Sequence, residues 1–324
     1  MNVVVCGGAG YVGSHMVRRL VSDGHRVTVL DNLSTGHREA VGDARLVVAD
    51  LLDAGKVEQT LKASSCEAVL HFAALSVVAD SVSDPYAYYR NNVAGTLNLL
   101  QGMRAAGVYK LIFSSSAAVY GAPRNDVVDE QHPTEPINPY GATKLTIERL
   151  LTDAFHAYGL RSASLRYFNA AGAAGDGELG ESHRPETHLI PNVLRVALGQ
   201  APALRIFGDD YPTPDGTCVR DYIHVEDLAD GHARALRYLD TKAGAFRFNL
   251  GSGRGYSVAE VVATARRVTG SVIPVKVASR RAGDPAMLVA SRDLAGLELG
   301  WQPRNSGLES ILASAWRWHS RQRY

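Results

Sequence analysis

A doubly wound α/β fold on a parallel sheet is predicted by three observations. Short apolar runs alternate with helix-length segments through the first half of the chain, a glycine-rich turn follows the first run directly, and the second run is closed by a carboxylate, Asp31. The runs cover residues 2–6, 26–30, 45–49, 68–73, 110–114 and 162–168. Strands separated by segments long enough for a helix require crossover connections, which place helices on both faces of a parallel sheet. After about residue 170 the rhythm breaks into a loop at 172–188, then a helical pattern and shorter strand-like pieces. Residues 1–180 are therefore read as a dinucleotide-binding domain, to which segments within about 219–251 return. Residues 181–324 are read as a smaller C-terminal α/β substrate domain.

Composition narrows the function classes. With 324 residues, 46% hydrophobic and 21% charged, the chain can bury a sizeable core. A formal net charge of +1 supplies no field for nucleic acid or an anionic membrane. No segment approaches the roughly 20 uninterrupted apolar residues of a membrane span, and no leader is expected. Three cysteines, Cys6, Cys66 and Cys218, suggest neither a disulfide framework nor a zinc site. His183, His188 and His224 also lack the usual zinc spacing, so no metal is expected. A reducing cytoplasm fits best. Trp316 and Trp318 are expected to pack a final helix.

The turn reads Gly7-Gly8-Ala9-Gly10-Tyr11-Val12-Gly13, with Gly7, Gly10 and Gly13 spaced Gly-x-x-Gly-x-x-Gly. Such a turn lets backbone approach a pyrophosphate and leaves the phosphate at the positive end of the next helix. Asp31, about 20 residues on, can accept hydrogen bonds from ribose hydroxyls and would repel a 2′-phosphate, so NAD is favoured over NADP. Asp50 and Leu51 after the third strand, and Phe72, Ala73 and Ala74 after the fourth, would line the same cleft, because ligands in these sheets bind beyond the carboxyl ends of the strands.

A catalytic group is read from Asn138-Pro139-Tyr140-Gly141-Ala142-Thr143-Lys144. Asn138 suits a helix cap and Pro139 the first helical position, which puts Tyr140 and Lys144 on one face. An adjacent ammonium and a positively charged nicotinamide would favour the phenolate, making Tyr140 a base despite its ordinary pKa of about 10. The fifth strand breaks into Ser114-Ser115-Ser116 where it should open onto the cleft. Ser116, last of the three, can orient a substrate oxygen and the phenol.

The run from Gly7 to His15, Asp31-Asn32, the stretch from Ser114 to Gly121 and the stretch from Tyr140 to Lys144 together resemble the extended short-chain dehydrogenase/reductase family. Arg166-Tyr167-Phe168-Asn169, the stretch from Ile206 to Tyr211 and the stretch from Asp215 to Val225 resemble its UDP-glucose 4-epimerase branch over nearly the whole chain. The resemblance implies a Rossmann-type domain and reversible C4 epimerisation of UDP-glucose and UDP-galactose, through a 4-keto sugar and bound NAD. It implies that Tyr140 is the base, that Lys144 binds the nicotinamide ribose and lowers the Tyr140 pKa, and that Ser116 assists. It further implies cofactor contacts from Tyr11, Val12, Asn32, Ser34, Thr35, Gly36, Asn91, Ser114 and Phe168, and a homodimer formed through a helix pair.

For the UDP-sugar, Arg220 and Arg281 suit a diphosphate because planar guanidinium donors pair bidentately with oxygen anions. Asp284 can accept from uridine ribose, Asn169 can donate to a phosphate or sugar oxygen, and Leu189 and Phe207 can flank uracil, with His188 beside them. Two positions depart from many relatives. Ser76 stands where Lys is frequent near the cofactor, and Leu288 stands where some carry Tyr, which leaves room for N-acetylated sugars. The alternatives are epimerisation mainly of UDP-N-acetylhexosamines or another UDP-sugar, and then 4,6-dehydration. Dehydration needs a proton-transfer pair where this chain has Ala117-Ala118. A catalytically silent NAD sensor would not need Ser116, Tyr140 and Lys144 together.

Overall fold

The structure, a computed structural model, describes residues 1–125, 127–281 and 285–324. Its strands in chain order are β1 (Asn2–Cys6), β2 (Arg26–Asp31), β3 (Arg45–Val48), β4 (Ala68–His71), β5 (Lys110–Ser116), β6 (Val127–Val128) and β7 (Arg161–Tyr167). There follow β8 (Asn169–Ala171), β9 (Leu204–Phe207), β10 (Val219–His224), β11 (Ala245–Leu250), β12 (Gly255–Ser257), β13 (Val275–Ala278) and β14 (Met287–Ala290).

Seven strands form one parallel sheet in the order β11-β7-β5-β4-β1-β2-β3. The winding reverses between β4 and β1, and a crevice opens where the loops after these two strands part to opposite faces. The strands are apolar because both faces are covered. Val3, Val5, Leu70, Ile112 and Leu165 pack with the helices Tyr11–Ser22 and Val225–Thr241 on one face. Val4, Val69, Leu111 and Phe113 pack with the helices Ala54–Ala63, Gly95–Ala105 and Pro139–Tyr158 on the other.

The return from the second half of the chain is made by β11 and the helix before it. β10 pairs instead with β8, β12 and β14 in a smaller sheet. β9 and β13 form a two-stranded parallel ribbon. A second core joins the helices Leu189–Ala197, Val258–Thr269 and Leu308–His319. Trp318 is fully buried and donates from Nε1 to Glu181 O at 2.8 Å, and Trp316 is half-buried against the second core, as the packing expectation requires. No helix among the described residues is long and apolar enough to cross a membrane.

Candidate functional site

The glycine turn closes β1 and opens the helix Tyr11–Ser22. Gly7 has φ +76°, and a Cβ there would stand 2.4 Å from Ala73 N; a Cβ at Gly13 would stand 2.0 Å from Gly7 O. These two glycines are required by the fold itself. Gly10 differs: a Cβ there would meet only Gly7 O, at 3.5 Å, so its bareness keeps open the space in front of the helix. Gly10 is also the cap residue and supplies no side-chain cap, which leaves the first-turn N–H groups for an anion.

Asp31 ends β2 and holds this loop. Its Oδ2 accepts from Ala9 N at 2.9 Å and its Oδ1 from Leu33 N at 2.8 Å, which leaves lone pairs on both oxygens for a diol. Asn32 donates to Asp50 Oδ2 at 2.8 Å and orders Ser34 N at 3.0 Å. Asn32, Ser34 and Thr35 are exposed on the rim, and Gly36 packs against Ala9, where a Cβ would lie 2.8 Å from the carbonyl carbon. Leu51 is buried beside Gly95. Ala73 N donates to Cys6 O at 3.1 Å, and Phe72 lies with its ring centroid 4.8 Å from that of His232. Ala74 is half-buried and Ser76 is exposed. Tyr11 turns inward and donates to Gly172 O at 2.7 Å, while Val12 is half-buried against the sheet core. The open helix end, the acceptor at Asp31 and the bare Gly10 fit a dinucleotide.

Asn138 accepts from Gly141 N at 2.9 Å and caps the helix Pro139–Tyr158, as its sequence position implies. Tyr140, Lys144 and Glu148 lie at i, i+4 and i+8 and share one stripe of that helix. Lys144 is buried; its Nζ donates to Ser114 O at 2.8 Å and stands 4.8 Å from the Phe113 ring centroid and 5.8 Å from that of Tyr140. Tyr140 lies beside Ser116, which acts to lower its phenol, and Ser116 Oγ accepts from Ala118 N at 3.1 Å. Ser114 Oγ pairs closely with the Tyr167 hydroxyl.

The electrostatics of the protein alone, without a nicotinamide, oppose the phenolate. Burial raises the Tyr140 phenol above its ordinary value, and only Ser116 acts the other way. Burial also pushes the Lys144 ammonium down to about 7, although Glu148 opposes it. The protein by itself therefore does not hold a phenolate, because desolvation penalises the anion and the cation alike.

Behind the pair lies a buried network. Arg166 Nε donates to Glu148 Oε1 at 2.9 Å, its Nη2 to Oε2 at 2.5 Å, and its Nη1 to the Tyr120 hydroxyl at 3.0 Å. Ser115 Oγ donates to Glu148 Oε1 at 2.6 Å, and Tyr120 donates to Asn249 Oδ1 at 2.6 Å. Glu148 and Asn249 were not identified from sequence, although Glu148 continues the stripe of Tyr140 and Lys144. Asn91 is half-buried and donates to Asn92 Oδ1 at 2.9 Å. Asn92 is the buried anchor, bonding Leu75 N, Leu75 O and Thr143 Oγ1 at 2.8, 3.0 and 3.1 Å.

On the substrate side, the Arg281 guanidinium lies 4.0 Å from the Phe207 ring centroid, joining two residues singled out separately. Arg220 Nη1 donates to Val219 O at 2.9 Å and Pro285 O at 2.8 Å. Its strand position is paired with Leu288 in β14. Leu288 and Phe168 pack on one small cluster of Ala117, Val119, Tyr120, Val128 and Leu145, beside the catalytic helix. Asn169 donates its amide to Asp221 O at 2.9 Å, so that N–H serves the β8–β10 junction. Leu189 packs against the second core, of which Ile206 is a member. Asp284 lies outside the described residues.

His224 caps the helix Val225–Thr241 by accepting from Glu226 N at 3.1 Å, a packing role. His188, expected at the substrate, bonds closely to Glu181. The Glu181 charge raises its imidazole to about 9, while the two histidines outweigh burial and hold Glu181 down at about 2. Glu186 is raised by burial and by the charge of Glu181.

Residues 3–251 match the NAD dependent epimerase/dehydratase family. A UDP-glucose 4-epimerase of Corynebacterium glutamicum is 52% identical over 322 residues, 99% of this chain and 96% of that one. The crystal structure of UDP-glucose 4-epimerase from Brucella ovis in complex with NAD superposes with a TM-score of 0.95 at 49% identity, covering 97% of both chains. The Bifidobacterium longum enzyme in complex with NAD+ and UDP gives a TM-score of 0.95 at 38% identity, covering 99% of both.

Proposed function

The chain belongs to the NAD dependent epimerase/dehydratase family, and from that premise we infer that it interconverts UDP-glucose and UDP-galactose by inverting C4 of the sugar. The observation that carries this reading is the Tyr140–Ser116 pair, set beside Lys144 at the carboxyl end of a sheet whose glycine turn fits NAD. Bound NAD supplies a reversible hydride acceptor and positive charge within the cleft.

Tyr140 takes the proton of the C4 hydroxyl, and Ser116 holds the phenol and the sugar oxygen in line for the transfer. Lys144, fixed by Ser114 O, stabilises the phenolate. The 4-keto sugar turns in the cleft, and Tyr140 returns the proton with the configuration at C4 inverted. Arg220 and Arg281 hold the diphosphate, with Phe207 and Leu189 against the base. These roles are supported by placement: Arg281 lies on Phe207, and Arg220 shares a strand register with Leu288. Ala117 and Ala118 carry no proton, which disfavours elimination of water after the oxidation.

Purified protein incubated with UDP-galactose, without added NAD, is expected to yield UDP-glucose. No conversion with or without added NAD would remove the reading. Leu288 sets the size of the sugar pocket, so wild-type protein also turns over UDP-N-acetylglucosamine. Leu288→Tyr is expected to lower kcat/KM for that sugar by roughly 10–200-fold, the range for a steric change in a pocket, with UDP-glucose much less affected; paired assays on the two sugars decide it.

The protein works as a homodimer in the reducing cytoplasm. Exposed Tyr86, Tyr89 and Leu97, in the helical segments between β4 and β5, offer apolar surface for a helix pair.

A further inference from the structure

Glu181, His183, Glu186 and His188 stand in the loop before the helix Leu189–Ala197, and one donor atom from each lies within 4.8 Å of all the others. We propose that these four side chains bind one zinc ion, which ties this loop between the nucleotide-binding turn and the C-terminal helix. The spacing of the histidines alone argued against a metal. The fold supplies what that spacing omits, two carboxylates folded back onto the two imidazoles.

The donors are set by their surroundings. Glu186 Oε1 accepts from Thr187 N at 2.7 Å and His188 N at 2.8 Å, which leaves Oε2 facing His183 Nδ1 at 3.8 Å. His183 Nδ1 lies 3.1 Å from Glu181 Oε1, and His188 Nδ1 pairs with the same oxygen. The backbone is held from both sides: Trp318 donates to Glu181 O at 2.8 Å, and His37 Nε2, in the loop after β2, meets Ser182 O at 3.1 Å. Outer contacts of this kind orient metal ligands.

The chemistry selects the ion. Two imidazole nitrogens and two carboxylate oxygens form a four-ligand set suited to tetrahedral zinc, whereas magnesium and calcium take six or more oxygens. Zinc bonds of about 2.0–2.2 Å place tetrahedral donors roughly 3.3–3.5 Å apart. The 3.1 and 3.8 Å separations of His183 Nδ1 from Glu181 Oε1 and Glu186 Oε2 lie on either side of that range, and the closer His188–Glu181 contact would open to admit the ion. The Glu181 and Glu186 side chains are only 4% and 6% exposed, and a zinc ion between them would take over from the imidazole protons the positive charge that balances these carboxylates. A cavity of about 710 Å³ lined by Glu181, His183 and Glu186 gives the ion a way in. Four protein ligands make a structural site, which acts on the stability of the loop leading to Leu189 and not on the proton transfer at Tyr140.

The test uses untagged full-length protein given one equivalent of zinc chloride, dialysed against metal-free buffer and assayed by elemental mass spectrometry. About one zinc per chain is expected in the wild type and less than about a tenth of that in H183Q/H188Q. Wild-type chelated to remove metal is expected to regain about 5 °C or more in Tm when zinc is restored, a readout that does not depend on how the variant folds. Zinc below about a tenth per chain in the wild type, zinc retained undiminished by the double variant, or no movement of Tm on restoring zinc would each overturn the proposal. Epimerase turnover is not a readout of this test, so its result stands apart from the reading of the Tyr140 site.

Discussion

Tyr140→Phe lowers kcat by about 10²–10⁴-fold, the usual worth of a positioned acid or base, and leaves NAD bound. The substitution removes one oxygen and keeps the ring, so the packing beside Lys144 and Phe113 is preserved. The loss falls on chemistry, because Ser116 alone has a hydroxyl too weakly basic to take the C4 proton. The cofactor is held elsewhere, at the bare Gly10, the helix end and Asp31. Burial raises the phenol in the protein alone, so the oxygen is a useful base only with added positive charge in the cleft. Steady-state assay on UDP-galactose, together with the nicotinamide content of the purified variant, checks both halves. A kcat within threefold of wild type would take Tyr140 out of the mechanism.

Arg166→Met destabilises the protein by about 3–5 kcal/mol, the cost of breaking a buried pair and leaving one charge behind. Arg166 and Glu148 are 2% and 0% exposed at the side chain. Glu148 would keep the Ser115 hydroxyl at 2.6 Å and Arg247 at 3.3 Å but lose its bidentate partner. Tyr120, whose phenol burial pushes up to about 12 against the pull of Arg166, would lose the Nη1 donor. Removing both charges in Glu148→Gln/Arg166→Met should recover part of the loss, since the buried carboxylate that lost its bidentate partner is then gone. Denaturant unfolding of the wild type and the two variants measures this. A single variant within about 1 kcal/mol of wild type would show that the bidentate pair contributes little, since Arg247 and Ser115 would then suffice to hold the carboxylate.

The predicted strands at 2–6, 26–30, 45–49, 68–73, 110–114 and 162–168 meet β1, β2, β3, β4, β5 and β7 within two residues at every end. All of these except the edge strand β3 are buried on both faces, and their continuous apolar runs carry that burial in the sequence. The glycine turn, Asp31, the Asn138 cap and the Tyr140–Lys144 stripe were legible for a similar reason. Each depends on backbone conformation or helical spacing within a few residues, which the order of residue types determines.

What the sequence by itself could not decide depends on contacts between distant segments. The joining of Arg281 to Phe207, the seating of Glu148 on Arg166, and the choice of Asn92 over Asn91 as the buried anchor all require tertiary placement. Protonation was decided at the same level: residue type and spacing set Lys144 near Tyr140, but burial set both groups toward their neutral forms. The same division holds at residues 181–188, where the chain supplies the donors and only folding turns them toward one point. Local patterns report local geometry, whereas charge, desolvation and convergence are properties of the space that the remote parts of the chain enclose.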